Sequence, residues 1–158
     1  MIARDPRANI RSVLNRLSLP GDAETVEAVR SPDLDSAWYL AFDAEALGLD
    51  GDTYIAVAAE RWNQAADAYL DHRDEMVLVR YEDFVEDKVE VIAGLAEQLQ
   101  LPPATDIADS VDRQFQPPGN SQVDWRTFFG ERNLSHIETI CASRMAHFGY
   151  EPTLGSTP

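Results

Sequence analysis

The chain has 158 residues, enough for a single hydrophobic core, and its 44% hydrophobic content is that of an ordinary globular protein. Its 13 basic and 28 acidic side chains leave a formal charge of -15, which excludes a general role on DNA, RNA or anionic membranes, all of which need a basic footprint. No apolar run approaches the ~20 residues of a membrane-spanning helix, and the arginine-bearing start has no apolar signal-peptide centre, so the expectation is a soluble, cytoplasmic protein.

The first element is a short strand end, Met1 to Ala3, followed by Arg4. Asp5 then has the character of an N-cap, and Pro6 fits the first helical position, where its missing N–H costs nothing. Ile10, Val13, Leu14 and Leu17 form the apolar stripe of the predicted helix, while Asn9, Ser12 and Arg16 lie on its other side, with Arg11 nearby. Ser12 sits roughly 10 Å along from Arg4 at 1.5 Å per residue, a gap that an extended arginine largely covers, so both could hold one anion. Residues 1–16 carry Arg4, Arg7, Arg11 and Arg16 against Asp5 alone, a local charge of +3. The plainer reading of those arginines is a solvated helix face.

Pro20-Gly21 breaks the chain, and a short helix is expected over Asp22 to Arg30. A second restarts at Ser31-Pro32, runs through Trp38, Leu40 and Leu47, and ends near Gly48. Asp50-Gly51-Asp52 reads as a turn, since the oxygen-ligand pattern of a calcium loop is not completed. A long helix is predicted from Thr53 to about His72, with Ile55, Ala58, Trp62, Ala65, Ala66 and Tyr69 inward. Met76 to Val79 is an unbroken apolar run, as in a strand buried on both faces. Arg80-Tyr81-Glu82-Asp83-Phe84 follows, with Glu82 and Asp83 suited to a helix start. The next helix carries Val89, Ile92, Leu95, Ala96 and Leu99 and stops before Pro102-Pro103. Gln116 to Gln122 reads as a linker. The last helix is expected to start at a capping box, Ser135 with Glu138, and to end at Gly149 as C′. Residues 153–158 are expected to form a flexible tail. Cys141 lies on that helix's apolar stripe and reads as packing; a single cysteine also agrees with a reducing compartment. His72, His136 and His147 have no metal-ligand spacing, so no metal site is expected.

Taken in order, Arg4-Asp5-Pro6-Arg7 with Ser12, the strand leading to Tyr81-Glu82-Asp83, the amphipathic helix after it, and Asp124-Trp125 resemble the sulfotransferase family, whose sulfuryl donor is 3′-phosphoadenosine 5′-phosphosulfate (PAPS). The resemblance implies that Arg4 and Ser12 hold the 3′-phosphate and that Tyr81 packs on or near the adenine. It implies an α/β, P-loop-like fold, here incomplete and predominantly helical with about two parallel strands, forming one domain over 1–158. The family's glycine-containing phosphate loop has no counterpart: the only lysine, Lys88, follows no glycine loop. The family's histidine base lies ahead of the Arg-Asp-Pro-Arg segment, in sequence that would precede Met1. No catalytic residue is therefore assigned, and the chain is expected to be N-terminally incomplete and inactive alone.

Two functions follow as expectations. One is sulfuryl transfer from PAPS to a hydroxyl or amine of a small-molecule or glycan acceptor, with this chain carrying the 3′-phosphate and adenine half of the site. The other is a non-catalytic helical interaction module derived from that fold. An exposed sheet edge favours association, so a homo-oligomer or a separate N-terminal half is an expected partner. Where many relatives have a basic segment over the 3′-phosphate, this chain has Gln116 to Gln122, flanked by Arg113 and Arg126. Trp38, Tyr39, Phe42 and Trp62 read as core residues ahead of an acceptor pocket.

Overall fold

A computed structural model describes residues 1–22, 42–102, 106–113 and 123–153. The chain is mostly helical, with one two-stranded parallel sheet. The elements are β1 (Ile2–Ala3), α1 (Pro6–Arg16), α2 (Ala44–Leu47), α3 (Tyr54–Asp71), β2 (Val79–Arg80), α4 (Tyr81–Glu86), α5 (Lys88–Gln98) and α6 (Trp125–His147). The chain divides into two compact units, unit 1 of Met1–Arg4 with Tyr69–Pro118, and unit 2 of Asp5–Ala68 with Gly119–Pro158.

Unit 2 holds most of the buried core. The helix start at Asp5-Pro6 is as the sequence predicts: the Asp5 carboxylate accepts from the Arg7 N–H at 2.9 Å, and Pro6 takes the first turn. Ile10 and Leu14 are buried, and α1 packs on α6. The α3 helix begins where the Thr53 hydroxyl accepts from the Ala56 N–H. It contributes Tyr54, Ile55, Val57, Ala59, Trp62 and Ala66 to the core; Ala65, expected inward, is exposed. Phe42 meets Tyr54 edge-on and Trp62 meets Phe148 edge-on, so both of these aromatics are core residues. Trp38, Tyr39, most of the Asp22–Arg30 helix and all of Gln116–Gln122 lie outside the described residues.

The α6 helix corrects the capping-box reading. It starts at Trp125, where the Asp124 carboxylate accepts from the Thr127 N–H, and it kinks at Gly130 (φ 68°, ψ 165°). The Thr127 hydroxyl and N–H hold the Asp124 carboxyl below its ordinary range. Ser135 is an exposed mid-helix residue, and Glu138 turns to a buried arginine instead of back to a helix start. The expected stop holds: Gly149 is left-handed (φ 72°), with its N–H on the Ala146 carbonyl and the Tyr150 N–H on the Met145 carbonyl, a Schellman motif. Thr153, the first residue of the expected tail, donates its N–H and its hydroxyl to Glu138.

Gly21 is required by close approach. A Cβ there would lie 2.5 Å from the Phe128 ring and 2.5 Å from the Phe128 carbonyl oxygen, while the Gly21 carbonyl accepts from Asn133 Nδ2 at 2.8 Å. Backbone on one side and a hydrogen bond on the other leave no direction in which to relax. Gly21→Ala is therefore expected to destabilise unit 2 by about 1–3 kcal/mol, the usual cost of overpacking. An unchanged urea midpoint would show that this approach is looser than described.

Unit 1 contains the sheet. Ile2 pairs with Val79 and Ala3 with Arg80 in parallel. The run from Met76 to Val79 was expected to be buried on both faces. Met76 is instead exposed and Val77 to Arg80 are only half-buried, because among the described residues β2 pairs with β1 alone. The α5 helix is capped by Asp87 accepting from the Glu90 N–H, and it ends in left-handed Gln100, before Pro102. None of its residues is fully buried. Among the described residues, the large apolar side chains that stand exposed, Ile2, Met76, Val85, Val89, Leu99 and Leu101, belong to this unit.

Candidate functional site

Parallel pairing puts the two strands' C-terminal ends side by side. With Ala3 opposite Arg80, the next position on each strand is Arg4 on one and Tyr81 on the other. The Arg4 guanidinium carbon lies 4.4 Å from the centroid of the Tyr81 ring. Both side chains are half-buried. A cation over an aromatic face at this distance contributes ~0.5–1 kcal/mol at an exposed site. Crevices beyond the carboxyl ends of parallel strands are where open α/β sheets bind ligands. A cation and a flat ring there suit an anionic group beside a planar one.

Two of the three residues that the family resemblance singles out therefore meet, 77 positions apart in the chain. The third, Ser12, is exposed on α1 in unit 2. Beside the pair, Arg80 Nη1 lies 3.9 Å from Asp83 Oδ1, and Glu82 and Asp83 occupy the first turn of α4. Lys88 is engaged by Asp112 in an ion pair. Arg126 lies 3.8 Å from Glu131.

The N-terminal arginines divide by role. Arg7 is buried, with 3% of its surface exposed, and the Asp5 carboxylate grips it at 2.9 Å (Nε) and 2.6 Å (Nη2). Its other nitrogen, Nη1, reaches Glu138 at 2.6 Å, and the Trp125 ring lies 4.1 Å from its guanidinium carbon. Burial works against this cation, yet hydrogen bonds and charge from Asp5 and Glu138 outweigh it and raise its pKa further. Arg11 is also buried and donates to the Val123 carbonyl. So the local +3 of residues 1–16 is not one surface patch: Arg7 and Arg11 are fixed inside unit 2, while Arg4 stacks on Tyr81.

Glu138 and Trp125 are the residues that sequence reasoning missed as partners of Arg7. A signal for the arginines existed. Arg7, Ile10, Arg11 and Leu14 stand at i, i+3, i+4 and i+7, the spacing of an inward stripe.

Cys141 is fully buried, and burial, followed by the charges of Glu60 and Asp5, pushes its thiol pKa to about 12. Its sulfur contacts the Ala59 carbonyl at 3.7 Å. Such a thiol is no nucleophile at neutral pH. Among the described residues, no group of three or more histidine, cysteine, aspartate or glutamate side chains converges as a metal site would, and no helix is long and apolar enough to cross a membrane. Comparisons of the chain with protein-family models, with curated proteins and with solved structures return no match.

Proposed function

We propose that this chain carries the 3′-phosphate and adenine half of a PAPS site of the sulfotransferase type, within an incomplete P-loop-like α/β fold. The observation that supports the reading is the Arg4–Tyr81 stack at the ends of paired parallel strands. A guanidinium there can pair with a phosphate, and the tyrosine ring offers a face to a base. When bound, the donor would supply the sulfuryl group for a hydroxyl or amine acceptor, in a cytoplasmic setting. This chain's part is to bind and orient the nucleotide. Ser12 as a second phosphate ligand rests on the resemblance alone, and no residue is assigned as base.

The test is a thermal-shift titration with adenosine 3′,5′-bisphosphate, using 5′-AMP as control. A ligand that binds only the folded chain stabilises it by ~2.7 kcal/mol at a hundredfold excess over its dissociation constant. The expected result is a rise in Tm specific to the 3′-phosphorylated nucleotide and lost in Arg4→Ala. Arg4 is half-exposed, so that variant is expected to lose no more than ~1 kcal/mol of its own stability. No shift at millimolar nucleotide would remove the nucleotide reading.

The alternative is a non-catalytic interaction module. It is favoured by the exposed apolar side chains of unit 1 and by the structural employment of Arg7 and Arg11.

A further inference from the structure

We propose that Arg4 makes the Tyr81 ring selective for phosphorylated nucleotides, by occupying the face that a base would use until an anion draws the guanidinium away. The inference rests on the nucleotide reading and adds to it a means of rejecting the unphosphorylated nucleoside. The observation behind it is a distance. The Arg4 guanidinium carbon lies 4.4 Å from the centroid of the Tyr81 ring, and stacked groups approach to ~3.5–4.0 Å between carbon atoms. The guanidinium therefore fills the space over that face, and a base cannot lie there at the same time.

The two arginine–aromatic contacts of the chain differ in how firmly they are held. Arg7, over the Trp125 ring at 4.1 Å, is clamped by Asp5 and Glu138 and is 3% exposed. Arg4 and Tyr81 leave neighbouring strand ends within unit 1 because Ala3 pairs with Arg80, and both stand half-buried. A partly hydrated cation over a ring is held weakly, at the low end for such contacts. Arg4 is thus placed to exchange the ring for a stronger partner.

Specificity is a difference of affinities, and here one side chain acts on both sides of it. A nucleoside that takes the covered face must displace the guanidinium and offers it no anion. A ligand with a phosphate offers the displaced guanidinium a charge-assisted, two-pronged pair, stronger than its contact with the ring. The apparent affinity of a site that is open part of the time falls by the open fraction. A contact of the strength usual at an exposed site then weakens nucleoside binding roughly two- to fivefold. Phosphate and base are coupled in consequence, each favouring the arrangement that admits the other.

The experiment uses the whole chain and proton NMR titrations with adenosine and with adenosine 3′,5′-bisphosphate, in which the adenine protons move upfield when the base stacks on a ring. Wild type is expected to bind the bisphosphate with that upfield shift, and adenosine more weakly. Arg4→Ala is expected to move the two affinities in opposite directions, roughly two- to fivefold tighter for adenosine and about tenfold or more weaker for the bisphosphate. A second arm needs no variant: inorganic phosphate, against chloride at equal ionic strength, is expected to raise the affinity of wild type for adenosine. Tyr81→Leu is expected to abolish the upfield shift, with an unchanged circular dichroism spectrum as the check that both variants keep the fold. Adenosine binding by Arg4→Ala no tighter than by wild type, wild-type adenosine binding that phosphate leaves unchanged, or an upfield shift that survives in Tyr81→Leu would overturn the proposal. Bisphosphate binding that depends on Arg4 would still stand in the first two cases, and the nucleotide reading with it. If neither ligand binds wild type at millimolar concentration, the nucleotide reading fails and this inference goes with it.

Discussion

Arg7→Ala is expected to lower the stability of unit 2 by about 3–5 kcal/mol, the loss typical of breaking a buried ion pair from one side. The reason is what the substitution leaves behind. Asp5 and Glu138 are each at most 6% exposed, and this guanidinium makes an ion pair with each of them. Removing it strands two carboxylates in a poorly solvated place and takes away the cation stacked on Trp125. Arg7→Lys keeps the charge, but it gives up the planar fork that reaches Asp5 through Nε and Nη2 and Glu138 through Nη1. It is expected to fall between wild type and alanine. Glu138→Gln keeps an acceptor oxygen for Thr153 and Arg7, so its expected cost is smaller, on the order of 1–2 kcal/mol. Urea unfolding followed by tryptophan fluorescence reads this directly, because Trp62 and Trp125 both lie in unit 2. A cost below about 1 kcal/mol for Arg7→Ala would mean that the network is dispensable. Combining Arg7→Met with Glu138→Leu is expected to recover part of the loss, as replacement of a buried pair by packed apolar groups often does.

How far these features were legible in the sequence depends on whether the physics that sets them is local. The start of α1 was readable because an N-cap carboxylate and a proline at the first helical position act within three residues. The end of α6 was readable for the same reason, since Gly149 alone supplies the left-handed residue of the Schellman motif. Glu138 shows the limit. Its spacing from Ser135 fits a capping box, but its partner, Arg7, is 131 residues away and has the stronger claim on a buried carboxylate. Burial of the Met76–Val79 run failed differently. An apolar run reports what a strand could bury, while actual burial depends on how many strands and helices surround it, and among the described residues this sheet has two strands. The Arg4–Tyr81 stack is a consequence of register. The sequence names both residues, yet only the pairing of Ala3 with Arg80 places them side by side.

Raising the pH from 9 to 12 is expected to cost unit 2 about 4 kcal/mol through Cys141 alone, at ~1.4 kcal/mol for each pH unit. In the unfolded chain the thiol ionises near its ordinary value of 9.0, while in the folded chain burial delays ionisation to about 12. Between those values the folded state retains a proton that the unfolded state has released, so stability falls as pH rises. Below pH 9 both states hold the proton, and the contribution is constant. Tyrosine and lysine titrate in the same range, so the measurement is a difference between wild type and Cys141→Ala. The alanine variant starts lower at pH 8 because it loses packing against α3 around Ala59. Above pH 9 the gap is expected to narrow by ~1.4 kcal/mol per unit, and the order of the two proteins reverses if the initial packing loss is less than ~4 kcal/mol. A gap that stays constant from pH 8 to 11 would mean that the thiol ionises inside the fold, in conflict with its complete burial. The same burial sets the reactivity: a thiol reagent at pH 8 is expected to label Cys141 only at the rate at which unit 2 opens, and the labelling rate is expected to rise in Arg7→Ala along with the population of the open state.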